Sequence, residues 1–264
     1  MPQRTFILTG MPRSGTTYLA ALLHHPPRVI TQSEAGGRWK QLFQKNGAHA
    51  DPLPVIREMR ERIARGEAVP TLEGTAGYSG AQRIDTWNQK KTVRALDVAD
   101  NFALGVKNPE VFLEWLPRFA EAGLRCAISV RHPLGIINSW VKQAERKRAR
   151  GRVREDAFAE GASVTFRSRA VDPIERRIEL HNHFAARIVA AMQSPMVLLV
   201  RYEEWFTNGP AQLRAVGEFL GIETKSVLEP PPIAPDPVIL SEPEQERILR
   251  GCAIAGEFGY SLSP

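Results

Sequence analysis

The eight residues Gly10 to Thr17, GMPRSGTT, carry the G-x4-G spacing of a phosphate-binding loop. In such a loop the backbone N–H groups and a helix N-terminus face an anion that the helix dipole also favours. A Walker A loop places lysine after its second glycine, where it reaches the β- and γ-phosphates, and then a Ser or Thr that holds Mg²⁺. Here Thr16 occupies the lysine position and the positive charge sits inside the loop, on Arg13. The arginine fork and the Thr16 and Thr17 hydroxyls can hold an anion, whereas an NTPase built this way would lack its main γ-phosphate contact. On spacing alone, Pro12 to Thr17 also fits a glycine turn that merely joins a strand to a helix around Gly15.

Further groups of the same kind lie downstream. Arg131-His132-Pro133 follows an apolar strand pattern, and Ser139 comes eight residues after the arginine, inside the next helix. An arginine at a strand end and a serine early in the following helix can converge on one more phosphate, although capping and surface roles fit the same residues. Lys107 precedes Asn108-Pro109 at another strand end. The run Lys142 to Arg154 holds seven basic residues and one acidic residue. It reads either as a solvated helix face or as an electrostatic funnel for anions. No aromatic interleaving or recognition motif accompanies it, so nucleic-acid binding is not expected. His24 and His25 end the first helix and His181 and His183 lie in a later one, all four read as structural. Arg201, Tyr202 and Glu203 read as residues that knit a sheet end. Trp39, Trp87 and Trp140 are candidates for stacking, with core packing as the default.

The elements that must position these groups are legible in outline. Thr5 to Gly10 reads as a strand and Ser14 to His24 as a helix; Arg28 to Thr31, Phe102 to Lys107, Cys126 to Val130 and Met196 to Val200 read as further strands. Helices are expected over Val55 to Arg65, Pro109 to Ala122, Pro133 to about Lys147, Ile174 to Met192 and Gly209 to Leu220. The run MVLLV at 196–200 has the continuous apolar character of a strand covered on both faces. This alternation predicts an α/β fold: a P-loop-like, doubly wound parallel sheet flanked by helices, with ligands beyond the carboxyl ends of the strands. With 264 residues and 43% hydrophobic content, one domain over 1–264 is expected. Residues 40–89 are read as an excursion that shapes an acceptor-side lid. Pro230 to Pro237 reads as an extended connection.

A net charge of +6 favours anionic partners without choosing among them. The two cysteines, Cys126 and Cys252, have neither disulfide nor metal-ligand spacing and read as buried thiols. No apolar run reaches the roughly 20 residues of a membrane span, and no signal-peptide pattern opens the sequence. A cytoplasmic enzyme is the expectation, with a luminal catalytic domain as the alternative. Oligomeric state has no signal here.

Taken together, PRSGTTYL, GVKNP, VRHPLGIINSW and LLVRYEEW resemble, in order, the landmarks of the sulfotransferase superfamily that uses 3′-phosphoadenosine 5′-phosphosulfate. The resemblance is nearer to its carbohydrate and bacterial branches. It implies that Pro12, Arg13, Ser14, Gly15, Thr16 and Thr17 hold the 5′-phosphosulfate, and that Arg131 and Ser139 hold the 3′-phosphate. It further implies that Glu34, in TQSEAGG, is the general base. Lys107 and Arg13 then stabilise the leaving phosphate with no metal required, since Arg and Lys supply the charge that Mg²⁺ supplies in kinases. His25 is a second candidate base. The acceptor would be a small molecule or carbohydrate. The chain departs from the family at His132, where Asp or Asn is usual, and it lacks the Arg-Lys-Gly loop of the cytosolic enzymes, so adenine contacts do not carry over. A P-loop kinase or NTPase, or a nucleotide-binding module without catalysis, is the competing reading.

Overall fold

The structure is a computed structural model that describes residues 4–33, 51–72, 91–109, 111–149, 166–224 and 238–262. Five strands form one parallel sheet in the order β2-β5-β1-β6-β7: β1 (Thr5–Gly10), β2 (Val29–Ser33), β5 (Ala103–Lys107), β6 (Arg125–Val130) and β7 (Val197–Arg201). β3 (Val69–Leu72) and β4 (Lys91–Arg94) form a separate antiparallel pair. The helices are α1 (Thr16–Leu23), α2 (Pro52–Ala64), α3 (Leu116–Glu121), α4 (Pro133–Ala149), α5 (Pro173–Ala191), α6 (Glu204–Leu220) and α7 (Glu242–Gly251), with 3₁₀ turns at Val111–Trp115 and Ala253–Phe258.

β1 shows why the strands read as unbroken apolar runs. Ile7 points to one face of the sheet and meets Ile30, Leu104, Ile128 and the apolar sides of α2, α4 and α5. Phe6 and Leu8 point to the other face and meet Tyr18, Leu19 and Leu23 of α1 and Trp205, Leu213 and Val216 of α6. With helices on both faces, alternate residues of a central strand are all buried, and a period-2 pattern disappears. Both cysteines are buried free thiols, and burial pushes each up to about 12. No described helix is long and apolar enough to cross a membrane.

Four sequence expectations are corrected. β7 lies at the sheet edge, and of its residues only Val200 is buried, so MVLLV is apolar without being covered on both faces. The helix expected from Pro109 splits into the Val111–Trp115 turn and α3, because Pro117 has no N–H to give and fits only a first turn. α6 begins at Glu204 rather than Gly209: two helical pieces join across a kink at Asn208 (φ −147°), just before Pro210. Finally, α2 is part of the core. Val55, Ile56, Met59 and Ile63 join the central cluster, and buried Arg60 donates to the carbonyls of Arg4 and Phe102 while its guanidinium lies 4.4 Å from the Phe102 ring. α7, with a Ser241/Glu244 capping box, and the turn after it lie beyond the last helix expected from the sequence.

His181 of α5 is completely buried, its Nδ1 facing Asn182 Oδ1 at 3.3 Å and its Nε2 without a hydrogen-bond partner among the described residues. Burial holds its pKa down to about 4, with Asn182 opposing the effect. The unfolded chain takes up this proton near pH 6.5 and the folded chain only near 4. The contribution to stability is therefore complete above 6.5 and is lost as pH falls toward 4, by up to roughly 3 kcal/mol. His181→Phe should flatten this dependence. Thermal unfolding from pH 7.5 to 4.5 checks it: parallel slopes for the two proteins would contradict it.

Candidate functional site

The loop between β1 and α1 is built against β6. Gly10 has φ +149°, and a Cβ there would lie 2.1 Å from the Ser129 carbonyl oxygen, so only glycine lets β1 end this close to its neighbour. Ser14 is fully buried with its Oγ 2.6 Å from Met11 O and 2.7 Å from Ser129 O, while Ser129 Oγ donates back to the Ser14 carbonyl. The Ser14 hydroxyl thus serves the protein interior. Trp140 of α4, also fully buried, donates from Nε1 to Pro12 O at 3.1 Å and backs the loop from below, which is a packing role.

Arg13 is the one non-glycine residue at positive φ (+75°) among those described. The left-handed conformation costs about 1–2 kcal/mol for a residue with a Cβ. In this strained position Arg13 Nε donates to Ser139 Oγ at 3.0 Å. The two arginine motifs, separate in sequence, therefore adjoin: Arg131 also reaches the loop, donating from Nη1 to Arg13 O at 3.4 Å. Gly15 has φ +86° and no side chain, and Thr16 and Thr17 open α1 behind it. First-turn N–H groups have no partner inside a helix and face the loop.

Lys107 supplies a cation from the other side. It ends β5, in register with Leu8 of β1 and Ser33 of β2, and is only 2% exposed. Its Nζ donates to Thr17 Oγ1 at 2.8 Å. Thr9 Oγ1 donates to Asn108 O at 2.9 Å, tying the turn after Lys107 to β1. An ammonium delivered through a neighbouring strand thus sits at the start of α1, where Thr16 replaces the lysine of a Walker loop.

Tyr202 is the site residue that sequence reasoning missed. It follows the end of β7, and its N–H bonds to Val130 O at 2.8 Å. The Arg131 guanidinium lies 4.6 Å from the centre of its ring, and a Cβ on Gly15 would fall 2.4 Å from the same ring. The Tyr202 ring thus fills the space between the loop and Arg131, while its N–H ties the end of β7 to β6. The missing signal is strand order, since only the adjacency of β6 and β7 brings Tyr202 to Arg131.

The remaining candidates divide. Glu34, Trp39 and Trp87 lie outside the described residues, as do 150–154 of the basic run and Pro230 to Pro237. His25 is buried, with Nδ1 3.0 Å from Leu23 O, and it bridges Val29 at the start of β2. That is the end opposite Ser33 and Lys107, roughly 13 Å away along the strand, so His25 is not at this site. His24 Nδ1 accepts from Thr31 N–H at 3.0 Å, which leaves it neutral on that nitrogen and joins α1 to β2.

The assembled site is one cationic edge, Lys107, Arg13 and Arg131, around the start of a helix. It can hold an extended anion or one with two charged ends. Gly15→Ala should cost about 2–3 kcal/mol of stability, from the positive φ and the contact with the Tyr202 ring; in a Tyr202→Ala background the added cost should shrink to about 1 kcal/mol. Thermal unfolding of the four proteins measures this, and equal costs in both backgrounds would rule the contact out as a determinant.

No protein-family model matches the chain, and no curated protein matches it in sequence. Solved structures do match. A sulfotransferase from Alicyclobacillus acidocaldarius aligns over 97% of this chain and 94% of its own, with a TM-score of 0.54 at 17% identity. The sulfotransferase domain from the curacin biosynthetic pathway covers 100% of this chain and 99% of its own at 15% identity and a TM-score of 0.48. The sulfotransferase domain of the Synechococcus olefin synthase covers 98% and 95% at 14% identity and a TM-score of 0.44. The five-stranded parallel sheet, flanked by helices as the sequence led us to expect, is the fold of the Alicyclobacillus sulfotransferase.

Proposed function

We propose that the chain is a sulfotransferase that takes its sulfuryl group from 3′-phosphoadenosine 5′-phosphosulfate and passes it to a hydroxyl or amine of a small-molecule or carbohydrate acceptor. The observation that carries this reading is the contact between Arg13 and Ser139, with Arg131 on the Arg13 carbonyl. It joins the 5′ loop and the second anion site into one surface, as a donor with two charged ends requires. The replacement of the Walker lysine by Thr16 argues in the same direction, away from ATP.

In this reading the loop N–H groups and Arg13 hold the phosphosulfate, and Arg131 with Ser139 holds the 3′-phosphate. The acceptor oxygen or nitrogen attacks sulfur in line with the bridging oxygen. A new bond to sulfur forms as the bond from sulfur to the bridging oxygen breaks, and the electron pair of that bond leaves on the 5′-phosphate of adenosine 3′,5′-bisphosphate. Lys107 and Arg13 stabilise that charge, which grows toward the transition state and so is worth more there than in the bound donor. Lys107 is suited to this by its burial, because a cation shielded from water acts at a lower effective dielectric.

The acceptor proton must leave as the new bond forms. Glu34 is the proposed base; its chain neighbour Ser33 pairs with Lys107 across β2 and β5, which is the support for a carboxylate on the same side as the leaving group.

Titration calorimetry against adenosine 3′,5′-bisphosphate without metal, and against ATP with Mg²⁺, tests the donor. Preference for the bisphosphate is expected, and preference for ATP would sink the reading. With a sulfate donor and an acceptor panel, Lys107→Ala and Glu34→Gln should each lower kcat about 10²-fold or more while bisphosphate still binds. Unimpaired turnover in both variants would refute the assigned roles.

A further inference from the structure

We propose that the turn after α7, through Tyr260 and Ser261, is a brace for the Arg131 side of the donor site, and that Tyr260 is a positioning residue for Arg131. The brace is built on His132 and Glu203, neither of which has a role in the chemistry above. The N–H of His132 donates to Glu203 Oε1 at 2.9 Å, and the Tyr260 hydroxyl donates to Glu203 Oε2 at 2.7 Å. Both carboxylate oxygens are thus taken by the two elements that flank the strand end. Charge-assisted bonds of this kind are stronger than neutral ones and more directional.

The His132 ring is fixed from two sides. Its Nδ1 accepts from the Leu134 N–H at 3.3 Å at the start of α4, and its Nε2 faces the Ser261 carbonyl at 3.2 Å. A carbonyl only accepts, so Nε2 is the donor in this contact. The Tyr260 ring meets it edge to face at 5.5 Å. On its other side Tyr260 stands under the Arg201 guanidinium, 4.8 Å from the ring centre. Tyr260 is 8% exposed, and burial together with the Glu203 carboxylate raises its hydroxyl pKa, so it stays a donor.

The consequence for the donor follows from chain connectivity. Arg131 precedes His132, and Tyr202 precedes Glu203. The first pair meets the second twice, through the Arg131 guanidinium over the Tyr202 ring and through the His132 N–H on Glu203. The first contact is held by the loop, through the Arg13 carbonyl and Gly15, and the second is anchored from the turn after α7, by Tyr260. Loosening that anchor frees the peptide between Arg131 and His132 and with it the direction in which Arg131 leaves the sheet. His132 also acquires a function here: an imidazole reaches the Ser261 carbonyl while still capping Leu134.

The proposal rests on the reading that Arg131 meets the 3′-phosphate, and the test separates the two. Calorimetry with adenosine 3′,5′-bisphosphate and adenosine 5′-monophosphate is run on the parent, Tyr260→Phe, Arg131→Ala and the double variant, with thermal unfolding as the check that Tyr260→Phe keeps the fold. Tyr260→Phe keeps the ring and removes only the hydroxyl. It should weaken the bisphosphate about fivefold to tenfold and leave the monophosphate unchanged, and it should add nothing to Arg131→Ala, because the two act on one contact. In turnover it should raise the donor KM with kcat held within about twofold at saturation. Equal weakening of both nucleotides, or a full additive loss in the double variant, would overturn the brace. If the parent does not prefer the bisphosphate over the monophosphate, the donor reading falls first and the brace falls with it.

Discussion

The site depends on the junction between Ser14 and Ser129. Each serine hydroxyl bonds to a carbonyl of the other residue, Met11 N–H adds a bond to Ser129 O at 3.3 Å, and Gly10 lacks the side chain that would hold the strands apart. All of these groups are buried, so each bond forms where an unmet partner would cost about 1–3 kcal/mol. The junction locks the loop to the last residues of β6, two positions before Arg131. The distance between the loop and the second arginine is thereby set by bonded backbone rather than by flexible side chains, and a strained Arg13 can be tolerated because its neighbours are held on both sides.

The second constraint is the placement of positive charge. A cation inside the loop and another delivered by a neighbouring strand replace the single lysine of a Walker loop. Lys107 arrives through β5, and its burial is tolerable because Thr17 and the turn that follows it fix its surroundings. An isolated buried ammonium would be costly, and a polar partner offsets part of that cost. A charge held this way needs little reorganisation when an anion binds or when charge shifts within it.

How far the sequence discloses this arrangement depends on the range of the interactions. GMPRSGTT is legible because a turn, a helix start and an anion-facing backbone are all chemistry of adjacent residues. Arg131 and Ser139 are legible as a pair for the same reason, one at a strand end and the other in the second turn of the helix that follows it. That Arg13 touches Ser139 is not, because the contact spans 126 positions and depends on β1 lying beside β6. The limits of α6 are hard to read locally as well, since Pro210 suits the start of a helix and only tertiary contacts carry the chain through Asn208. MVLLV reads as doubly covered because composition records apolarity and not which side of the sheet remains open. Tyr260 carries no local signal at all: its partner Glu203 lies 57 positions away, on another element.

Strand order also gives the site a direction. Going from β2 through β5, β1 and β6 to β7, the strand ends present Ser33, Lys107, the loop, Arg131 and Tyr202 in turn. Neighbouring strands are about 4.8 Å apart, so Lys107 and Arg131 leave the sheet about 10 Å from one another with the loop between them. On the donor reading, the leaving group lies toward β5, where Lys107 is buried, and the nucleoside end lies toward β7, where Arg131 is flanked by an aromatic ring and a bonded carboxylate. Charge that must respond to bond breaking is thus the more shielded from water, and charge that only has to bind is the more open, with Arg131 half-buried against the nearly inaccessible Lys107. On the same reading the acceptor approaches from the β2 side, because β6 and β7 carry the second anion site and its supports. On that reading acceptor choice is set by the residues that follow Ser33 and by α2 and its surroundings, while changes near β7 act through the donor alone.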